Sequence, residues 1–371
     1  MISLREPGAA APALATDALL SVRDLQTYFF SREGTVKAVD GVSFDLKPGE
    51  ILGIAGESGC GKTVTSQSIL RILPKNGKIV GGEILFNNDG EELDLAGVEP
   101  DGSEMRGIRG KEIAMIFQEP MTAFSPVHTI GNQIIETIRI HQPVSKEEAR
   151  RQAIEMLHRV GMPNPGRNID QYTFKLSGGM RQRAMVALAL SCQPKLLIAD
   201  EPTTAVDVTI QAQILNLLRE IQAELGMAIV MITHDLGVIA ELTDRVMIMY
   251  LGKEVEYGKV ADIYYRPQHP YTRGLLGSIP KLVPGRAAIE PIEGSVPSVY
   301  EMPAGCKFHP RCPHFMPGVC EKRDPPLIEV APGHAVRCYL YGGKEALESE
   351  SGHLLDPSAD IATDDAQRDI Q

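Results

Sequence analysis

The segment GESGCGKT, at residues 56–63, has the residue types and spacing of a phosphate site, because it fits the pattern G-x-x-x-x-G-K-[ST]. The apolar run ILGIA precedes it and the helical pattern TVTSQSILRIL follows it, so a strand, a loop and a helix are expected in that order. Glycines let backbone N–H groups converge on an anion, and the helix points its positive end at the same place. Lys62 is predicted to contact the β and γ phosphates of a nucleotide, and the Thr63 hydroxyl to bind Mg²⁺. The predicted nucleotide-binding residues of this loop are Gly56, Glu57, Ser58, Gly59, Cys60, Gly61, Lys62 and Thr63.

Two carboxylates and a histidine predict hydrolysis as well as binding. In KLLIADEP, Asp200 ends an apolar run, where a carboxylate can hold Mg²⁺ through water beside the nucleotide. Glu201 follows and would project toward the γ phosphate, where it could polarise the attacking water. His234, in ITHD, comes after another apolar run and is placed to contact the γ phosphate or to orient that water. The alternatives are an acidic cap at a strand end for the carboxylates and an ordinary structural role for His234.

The segment LSGGMRQR, at residues 176–183, predicts a second anion site. Ser177 is expected to cap a helix, and Gly178 and Gly179 leave the N–H groups of the helix start open to a ligand. One chain needs only one γ-phosphate site. A second site therefore predicts that this helix serves ATP bound to a neighbouring subunit.

Together with Gln118 in IFQEP and the AVD of residues 205–207, these motifs follow one another in the order and rough spacing of the ABC ATPases. Over about residues 19–250 the chain resembles that superfamily. The resemblance implies a head-to-tail dimer with two ATP molecules and their Mg²⁺ at the interface. It also implies that Gln118 binds Mg²⁺ and couples it, with the attacking water, to a helical insertion.

The same resemblance implies roles for residues on the partner side of the site. Ser177, Gly178 and Gly179 would contact the nucleotide held by the P-loop of the other subunit. Asp207 would communicate across the dimer.

The adenine contact and two departures from the family pattern also concern single residues. The resemblance implies that Phe29, or its neighbour Tyr28, stacks on adenine. Met180 replaces the commonest Gln, which removes a hydrogen-bonding side chain near the partner's nucleotide, and Val206 stands where Leu is usual. Glu201 is retained, so the half-site that it completes is expected to hydrolyse ATP.

The elements that must position these residues predict an α/β fold. LLSVRDLQTYFF and VKAVDGVSFDL have the pattern of paired strands in an antiparallel edge sheet. EILGIAG, KLLIAD and MAIVMITH are short apolar runs typical of buried strands, and the helical patterns between them favour a parallel arrangement. In the helical insertion, Ser145 and Glu148 have the spacing of a capping box, and Gly161 is expected to end that helix. The fold expected is an ABC-type P-loop ATPase core with an antiparallel β subdomain and a helical subdomain, plus a small irregular Cys/Pro-rich C-terminal domain.

Composition divides the chain into four parts. Residues 1–18 are predicted to be a flexible leader, and residues 19–265 the ATPase domain with a helical subdomain at about 119–176. Thirteen of the 26 prolines lie between Pro267 and Pro332, so residues 266–341 are predicted to form a domain of loops and short elements. Residues 342–371 are acidic and polar, and are predicted to be disordered.

The C-terminal part contains four of the six cysteines, and four thiolates can bind Zn²⁺ or a [4Fe–4S] cluster. Five, seven and seventeen residues separate them, which matches neither a zinc knuckle nor a ferredoxin motif. Unligated thiols in a small core are the alternative, and His309 and His314 are competing ligands. Cys192 lies in an apolar helical run and is predicted to be core. The candidate ligands are Cys306, Cys312, Cys320 and Cys338.

YRPQHPYTRGLL, the Cys-containing segment and EPTTAVDVTIQAQIL resemble the ATP-binding subunits of oligopeptide and dipeptide importers, so the resemblance covers all but the two ends. It implies an ATP-hydrolysing subunit that energises peptide uptake, and an iron–sulfur cluster of the D-type subunits in place of zinc. The implied partners are a second, different ATPase chain, two transmembrane permeases and an extracytoplasmic peptide-binding protein. An ATPase for another solute such as nickel, or a non-transport ABC ATPase, is the alternative.

The remaining composition bounds the location and the class of partner. No run of 18 apolar residues is present, so the chain is expected to lie peripherally on the cytoplasmic face of the cell membrane, held by its partners. The net charge of -11, the 5% aromatic content and the absence of Trp argue against direct binding of nucleic acid.

Overall fold

The computed structural model of the protein describes residues 17–119, 123–204, 207–278 and 292–342. Short 3₁₀ turns occupy Thr173–Lys175, His309–Arg311 and Tyr339–Tyr341. The strands are β1 (Leu20–Ser31), β2 (Gly34–Leu46), β3 (Ile51–Ala55), β4 (Gly77–Asn88), β5 (Glu91–Asp94), β6 (Ile113–Ile116), β7 (Leu196–Asp200), β8 (Ala228–Ile232), β9 (Arg245–Tyr250), β10 (Lys253–Lys259), β11 (Ile328–Ala331) and β12 (His334–Val336). The helices are α1 (Lys62–Ile69), α2 (Ser103–Ile108), α3 (Ile130–His141), α4 (Lys146–Arg159), α5 (Pro165–Asn168), α6 (Gly178–Leu190), α7 (Val208–Leu225), α8 (Leu236–Leu242), α9 (Val260–Tyr265) and α10 (Pro270–Gly277).

The smaller sheet has the order β2-β1-β4-β5, and all its strands are antiparallel. The predicted pairing of the first two strands is confirmed, with Leu20 opposite Leu46 and Ser31 opposite Gly34. The sheet packs against α1 through Thr27, whose hydroxyl lies 2.8 Å from that of Ser68. It therefore covers the helix that follows the phosphate loop.

The larger sheet has the order β11-β12-β10-β9-β3-β8-β7-β6 and is parallel from β9 to β6. The three runs predicted as buried parallel strands form β3, β7 and β8, and every residue in them is buried. Their carboxyl ends, at Ala55, Asp200 and Ile232, lie along one edge of the sheet. Ligand sites of parallel sheets form at this edge, because the loops that follow neighbouring strands meet there.

The helical segment, which contains α3 and α4, packs on the same parallel sheet. Ser145 caps α4 by accepting a hydrogen bond from the N–H of Glu148, as predicted, and Gly161 follows the helix with a φ of 71°. The Glu148 carboxylate does not complete a capping box; it accepts from Arg151 and Gln152 instead. Helices α3, α4 and α6 share one apolar core with β6, β7 and β8.

The described residues of the C-terminal extension form short elements, and they are continuous with the larger sheet. β12 pairs with β10, and β11 pairs with β12. Glu256 of β10 is fully buried and accepts hydrogen bonds from the N–H groups of Gln268 and His269 and from the ring of His334. The extension joins the core here because it covers a strand edge that would otherwise be left unpaired.

In the part of the chain that the structure describes, no helix is long and apolar enough to cross a membrane. The predicted leader lies outside the described residues except for its last two positions, and the predicted acidic tail does so except for its first. The domain boundaries stay a prediction.

Candidate nucleotide site

The loop between β3 and α1 has a backbone that requires glycine at two positions. Gly56 has a φ of 151° and Gly61 a φ of 105°, both in the region that L side chains rarely adopt. A Cβ at Gly56 would lie 2.2 Å from the carbonyl oxygen of Met249, and one at Gly61 would lie 2.3 Å from that of Ala38. The loop is therefore held closely against neighbouring backbone, with its other face open to a ligand.

Lys62, at the start of α1, is 7% exposed and turns back toward the loop. Its ammonium donates hydrogen bonds to the carbonyl oxygens of Gly56, at 2.8 Å, and Glu57, at 3.0 Å. Phosphate oxygens are stronger acceptors than these carbonyls because they are charged, so the ammonium is poised to exchange one set for the other. Cys60 is buried and burial raises the pKa of its thiol, which is consistent with a packing role.

Asp200, at the end of β7, has the environment of a magnesium ligand. It is 2% exposed, and burial and the neighbouring Glu201 raise the pKa of its carboxyl, although the Thr63 hydroxyl and Lys62 oppose that shift. Its Oδ1 has no hydrogen-bond partner among the described residues. A buried carboxylate oxygen without a partner calls for an ion or water, so Asp200 and Thr63 fit the Mg²⁺ expected beside the phosphates. When bound, the ion would neutralise charge on the phosphate oxygens.

The three residues predicted to be catalytic meet at one carboxylate. Glu201 accepts a hydrogen bond from the Gln118 amide at 2.9 Å, and its other oxygen lies 3.1 Å from Nδ1 of His234. Thr204, which the sequence reasoning did not single out, donates its hydroxyl to Glu201 at 2.9 Å. Its position in EPTT, directly after the carboxylate, is the signal that could have identified it.

The Glu201 carboxylate stays ionised in this cluster. Burial raises its pKa, but the hydrogen bonds from His234 and Thr204 and the charge of Lys62 lower it by more. Its backbone has a φ of 47°, and its N–H donates to the carbonyl of Ile232 at 2.8 Å, which turns the side chain out from the strand end. An ionised and oriented carboxylate can accept a proton from water.

Helix α6, which follows the LSGG segment, begins as predicted, with Ser177 as its cap. Ser177 accepts a hydrogen bond from the N–H of Met180 at 3.3 Å and is exposed, and Gly178 is exposed beside it. Among the described residues, no hydrogen bond joins Ser177 with the phosphate loop of its own chain. The helix is instead tied to the strand end through Gln182, a residue missed from sequence, whose buried amide donates to the carbonyl of Pro202.

The model of the ABC transporter family matches residues 39–204, and the model of the oligopeptide/dipeptide transporter C-terminal region matches residues 255–320. A probable peptide ABC transporter ATP-binding protein of Sinorhizobium fredii, y4tR, is 53% identical over 325 residues, which cover 87% of this chain and 95% of that relative. The chain belongs to the ABC transporter ATP-binding family. It is therefore an ABC-type ATPase, with ATP and Mg²⁺ as the expected ligands.

Other relatives and solved structures agree with this ABC fold and family. The dipeptide transport ATP-binding protein DppD of Bacillus subtilis is 51% identical over 87% of this chain and 94% of its own length. The oligopeptide transport protein OppD of Salmonella typhimurium is 46% identical over 91% of this chain and 98% of its own length. The dimeric ATP-binding cassette MJ0796, with ADP and phosphate bound, superposes with a TM-score of 0.58 at 26% identity, over 65% of this chain and 98% of that one.

The remaining ABC-type site residues keep local roles in the structure. Asp207 caps α7 by accepting from the N–H of Ile210 at 3.0 Å. Phe29 is half-buried with its ring against Gly77, whereas the Tyr28 hydroxyl donates to Asp40 at 2.6 Å. Stacking on adenine would therefore not compete with a side-chain hydrogen bond at Phe29, as it could at Tyr28. The adenine contact stays a prediction.

The two departures from the ABC pattern have different outcomes. Met180 packs, half-buried, on the apolar core of the helical segment. Val206 lies outside the described residues, as does Ala205.

The four C-terminal cysteines of this ABC ATPase come from separate segments, and their thiols raise one another's pKa values. The N–H of Cys306 donates to the carbonyl of Cys320 at 2.8 Å. Burial, with a smaller contribution from the other three thiols, raises the pKa of Cys306 to about 12, and burial raises that of Cys338 to about 11.

The structure does not form the predicted metal site as such. Within the described ranges, no group of three or more Cys, His, Asp or Glu side chains is arranged to hold a metal ion. His309 is engaged with the Cys306 carbonyl at 3.0 Å. Cys192, predicted to be core, is only half-buried.

Proposed function

We propose that this ABC ATPase energises the uptake of oligopeptides or dipeptides through partner permeases. The observation that carries the proposal is the meeting of Gln118, His234 and Glu201 at the end of β7, in a chain whose C-terminal region matches that of oligopeptide/dipeptide transporters. The cluster supports hydrolysis, and the extension supports the solute class. Relatives named for dipeptide and oligopeptide transport favour the same class.

In the proposed mechanism, ATP lies between two ATPase subunits. Lys62 and the loop N–H groups would bind its phosphates, Asp200 and Thr63 would hold Mg²⁺, and Ser177 of the other subunit would contact the γ phosphate. Glu201 takes a proton from a water, whose oxygen forms a bond with the γ phosphorus as the bond to the bridging oxygen of ADP breaks. His234 and Gln118 hold the carboxylate and the water in line.

ATP closes the dimer because its γ phosphate contacts both subunits, and hydrolysis removes those contacts. We propose that the helical segment of residues 129–142 carries this change to a cytoplasmic helix of the permease. Exposed apolar side chains near it support such a contact, with Val127 73% and Ile140 69% exposed. Tyr172 and Phe174, stacked at 5.5 Å, add an exposed aromatic pair.

The proposed assembly comprises a second, different ATPase chain, two permeases and an extracytoplasmic peptide-binding protein. The described residues contain no membrane-crossing helix, so the proposed location, peripheral on the cytoplasmic face of the cell membrane, depends on those permeases.

Transport by the assembled complex in proteoliposomes tests the solute class. A labelled tripeptide, presented with the binding protein, is expected to accumulate in an ATP-dependent way and to stimulate ATP hydrolysis. The same assay with ⁶³Ni²⁺ is the comparison. Uptake of nickel without uptake of peptide would transfer the proposal to the nickel class. Purification of the chain without any permease would favour a non-transport ATPase.

For the four cysteines, we propose a [4Fe–4S] cluster, with Zn²⁺ as the alternative. The support is a donor set of four buried or half-buried thiols that influence one another, although they are not arranged to hold a single metal ion. Its proposed role is structural, because a Pro-rich extension has little core of its own. Iron, sulfide and zinc analysis of anaerobically purified protein tests this. About four irons and four sulfides per chain are expected, and zinc without iron would refute the cluster.

A further inference from the structure

The phosphate loop is held from outside the ATPase core at one residue, Glu57. Its N–H donates to the hydroxyl of Tyr271 at 2.9 Å, and its carboxylate pairs with Arg311 at 2.7 Å. Its carbonyl accepts from the ammonium of Lys62 at 3.0 Å and from the N–H of Cys60 at 3.3 Å. Glu57 thus links two side chains of the C-terminal extension with the lysine that binds phosphate.

The Arg311 side chain is 4% exposed and is fixed on several sides. It makes two hydrogen bonds with the Glu57 carboxylate, at 2.7 and 3.2 Å, and its guanidinium lies 5.9 Å from the ring centres of both Tyr250 and Phe308. Its Nε donates to the carbonyl of Glu293 at 3.2 Å. Such a bidentate pair is directional, and removing Glu57 would leave the charge of the buried Arg311 side chain uncompensated.

Tyr271 is fully buried in α10, and its ring lies 4.6 Å from that of Tyr250. His269 caps this helix by accepting from the Tyr271 N–H at 3.0 Å. The hydroxyl that reaches Glu57 is therefore held by a rigid aromatic ring on a capped helix. A loop N–H satisfied in this way has one orientation, which fixes the peptide between Gly56 and Glu57.

We propose that Arg311 and Tyr271 are positioning residues for ATP binding, acting through Glu57. By fixing the N–H and the side chain of this residue, they hold the loop in the conformation in which its free N–H groups and Lys62 face the phosphates. Without them the loop has more conformations to lose when ATP binds. The cost appears as a higher KM for ATP, with a smaller effect on kcat.

ATP hydrolysis by the assembled complex, measured for four variants against the wild type, tests this. Arg311→Gln is expected to raise the KM for ATP roughly tenfold, equivalent to about 1.4 kcal/mol. Glu57→Gln is expected to raise the KM similarly. The double variant is expected to raise it no more than either single change, because both changes remove the same ion pair. Tyr271→Phe, which removes only the hydroxyl, is expected to raise KM about threefold, and reports on the proposal even if Arg311→Gln fails to fold.

The matched control is Arg337→Gln. Arg337 belongs to the same extension and pairs with the buried Glu254 at 2.5 Å, but that contact leads to β10 and not to the phosphate loop. This control is expected to lower the unfolding temperature while leaving the KM for ATP unchanged. Equal KM changes for Arg337→Gln and Arg311→Gln, or multiplicative effects of Arg311→Gln and Glu57→Gln, would overturn the positioning role. An unchanged KM for ATP in both single variants, Tyr271→Phe and Arg311→Gln, would also overturn it.

Discussion

Two helix ends of this chain are predicted to contact phosphate, and they differ in how much of the chain surrounds them. The N-terminus of α1 lies in a buried setting, with Lys62 7% exposed and the loop before it held by Tyr271 and Arg311. The N-terminus of α6 is exposed, and among the described residues the Ser177 hydroxyl makes one hydrogen bond, the local cap to the N–H of Met180. The first end is complete within one chain, whereas the second has its ligand-binding face unoccupied by its own fold. This difference supports a nucleotide site shared by two subunits.

The largest effect is expected at the carboxylate that completes the first end. Glu201→Gln should retain ATP binding but lower turnover about 10³-fold, because the amide cannot take a proton from water. ATPase assays and nucleotide-binding titrations check this. Glu112→Gln, which alters a carboxylate paired with Lys195 at the opposite ends of the strands, is the matched control and should leave turnover unchanged. Full activity in Glu201→Gln would remove the role assigned to it.

The contrast between the two helix ends is sharpest in a paired experiment. Lys62→Ala should weaken ATP binding to the isolated chain roughly 100-fold, because it removes one partner of a charged contact. Ser177→Arg should leave that binding unchanged, yet reduce hydrolysis by the assembled complex by a similar factor. Equilibrium binding on the isolated chain and turnover of the complex separate the two. Weakened binding in isolated Ser177→Arg would show that α6 serves its own nucleotide.

A smaller effect is expected from Thr204, which orients the Glu201 carboxylate without reaching the phosphate. Thr204→Val removes one hydrogen bond, with a net value of about 1 kcal/mol, and should lower kcat about fivefold. Thr203→Val is the matched control, because Thr203 makes no hydrogen bond with Glu201 in the described structure. Stopped-time ATPase assays at saturating ATP give kcat directly. Equal losses in both variants would indicate a general packing effect.

The smallest effect concerns pH, at the cap of α10, the helix whose Tyr271 holds the phosphate loop. Burial lowers the pKa of His269, which caps the helix of Tyr271, to about 4, against an ordinary value of 6.5. The unfolded chain therefore binds this proton at a higher pH than the folded chain does. The stabilisation is complete above about pH 6.5 and declines as the pH falls toward 4, with about 2 kcal/mol lost at pH 5.

The unfolding temperature at pH 7 and pH 5 measures this loss, which should amount to several degrees. His269→Asn keeps a capping side chain but has no proton to gain, so its unfolding temperature should depend less on pH in this window. An identical pH dependence in both proteins would assign the acid loss to other groups.

Much of the fold followed from local patterns. The apolar runs became β3, β7 and β8, and Ser145 and Ser177 cap helices where their side chains can reach the N–H groups three residues on. The capping box failed at Glu148, because an exposed arginine and a half-buried glutamine one turn later offered its carboxylate other partners. The spacing of the four cysteines could not establish a metal site. Ligation requires the side chains to converge in space, and separations along the chain do not set this.

The sequence by itself determined the chemistry of the site, because a glycine-rich loop, a lysine at a helix start and carboxylates after an apolar run leave few alternatives. Only the tertiary structure decided which of these residues meet. Gln118 reaches Glu201 across 83 residues, and Arg311 reaches Glu57 across 254. Caps and strands depend on neighbours along the chain, so short segments of sequence are enough to predict them. Contacts over such separations depend on sheet order and packing, which no local pattern fixes.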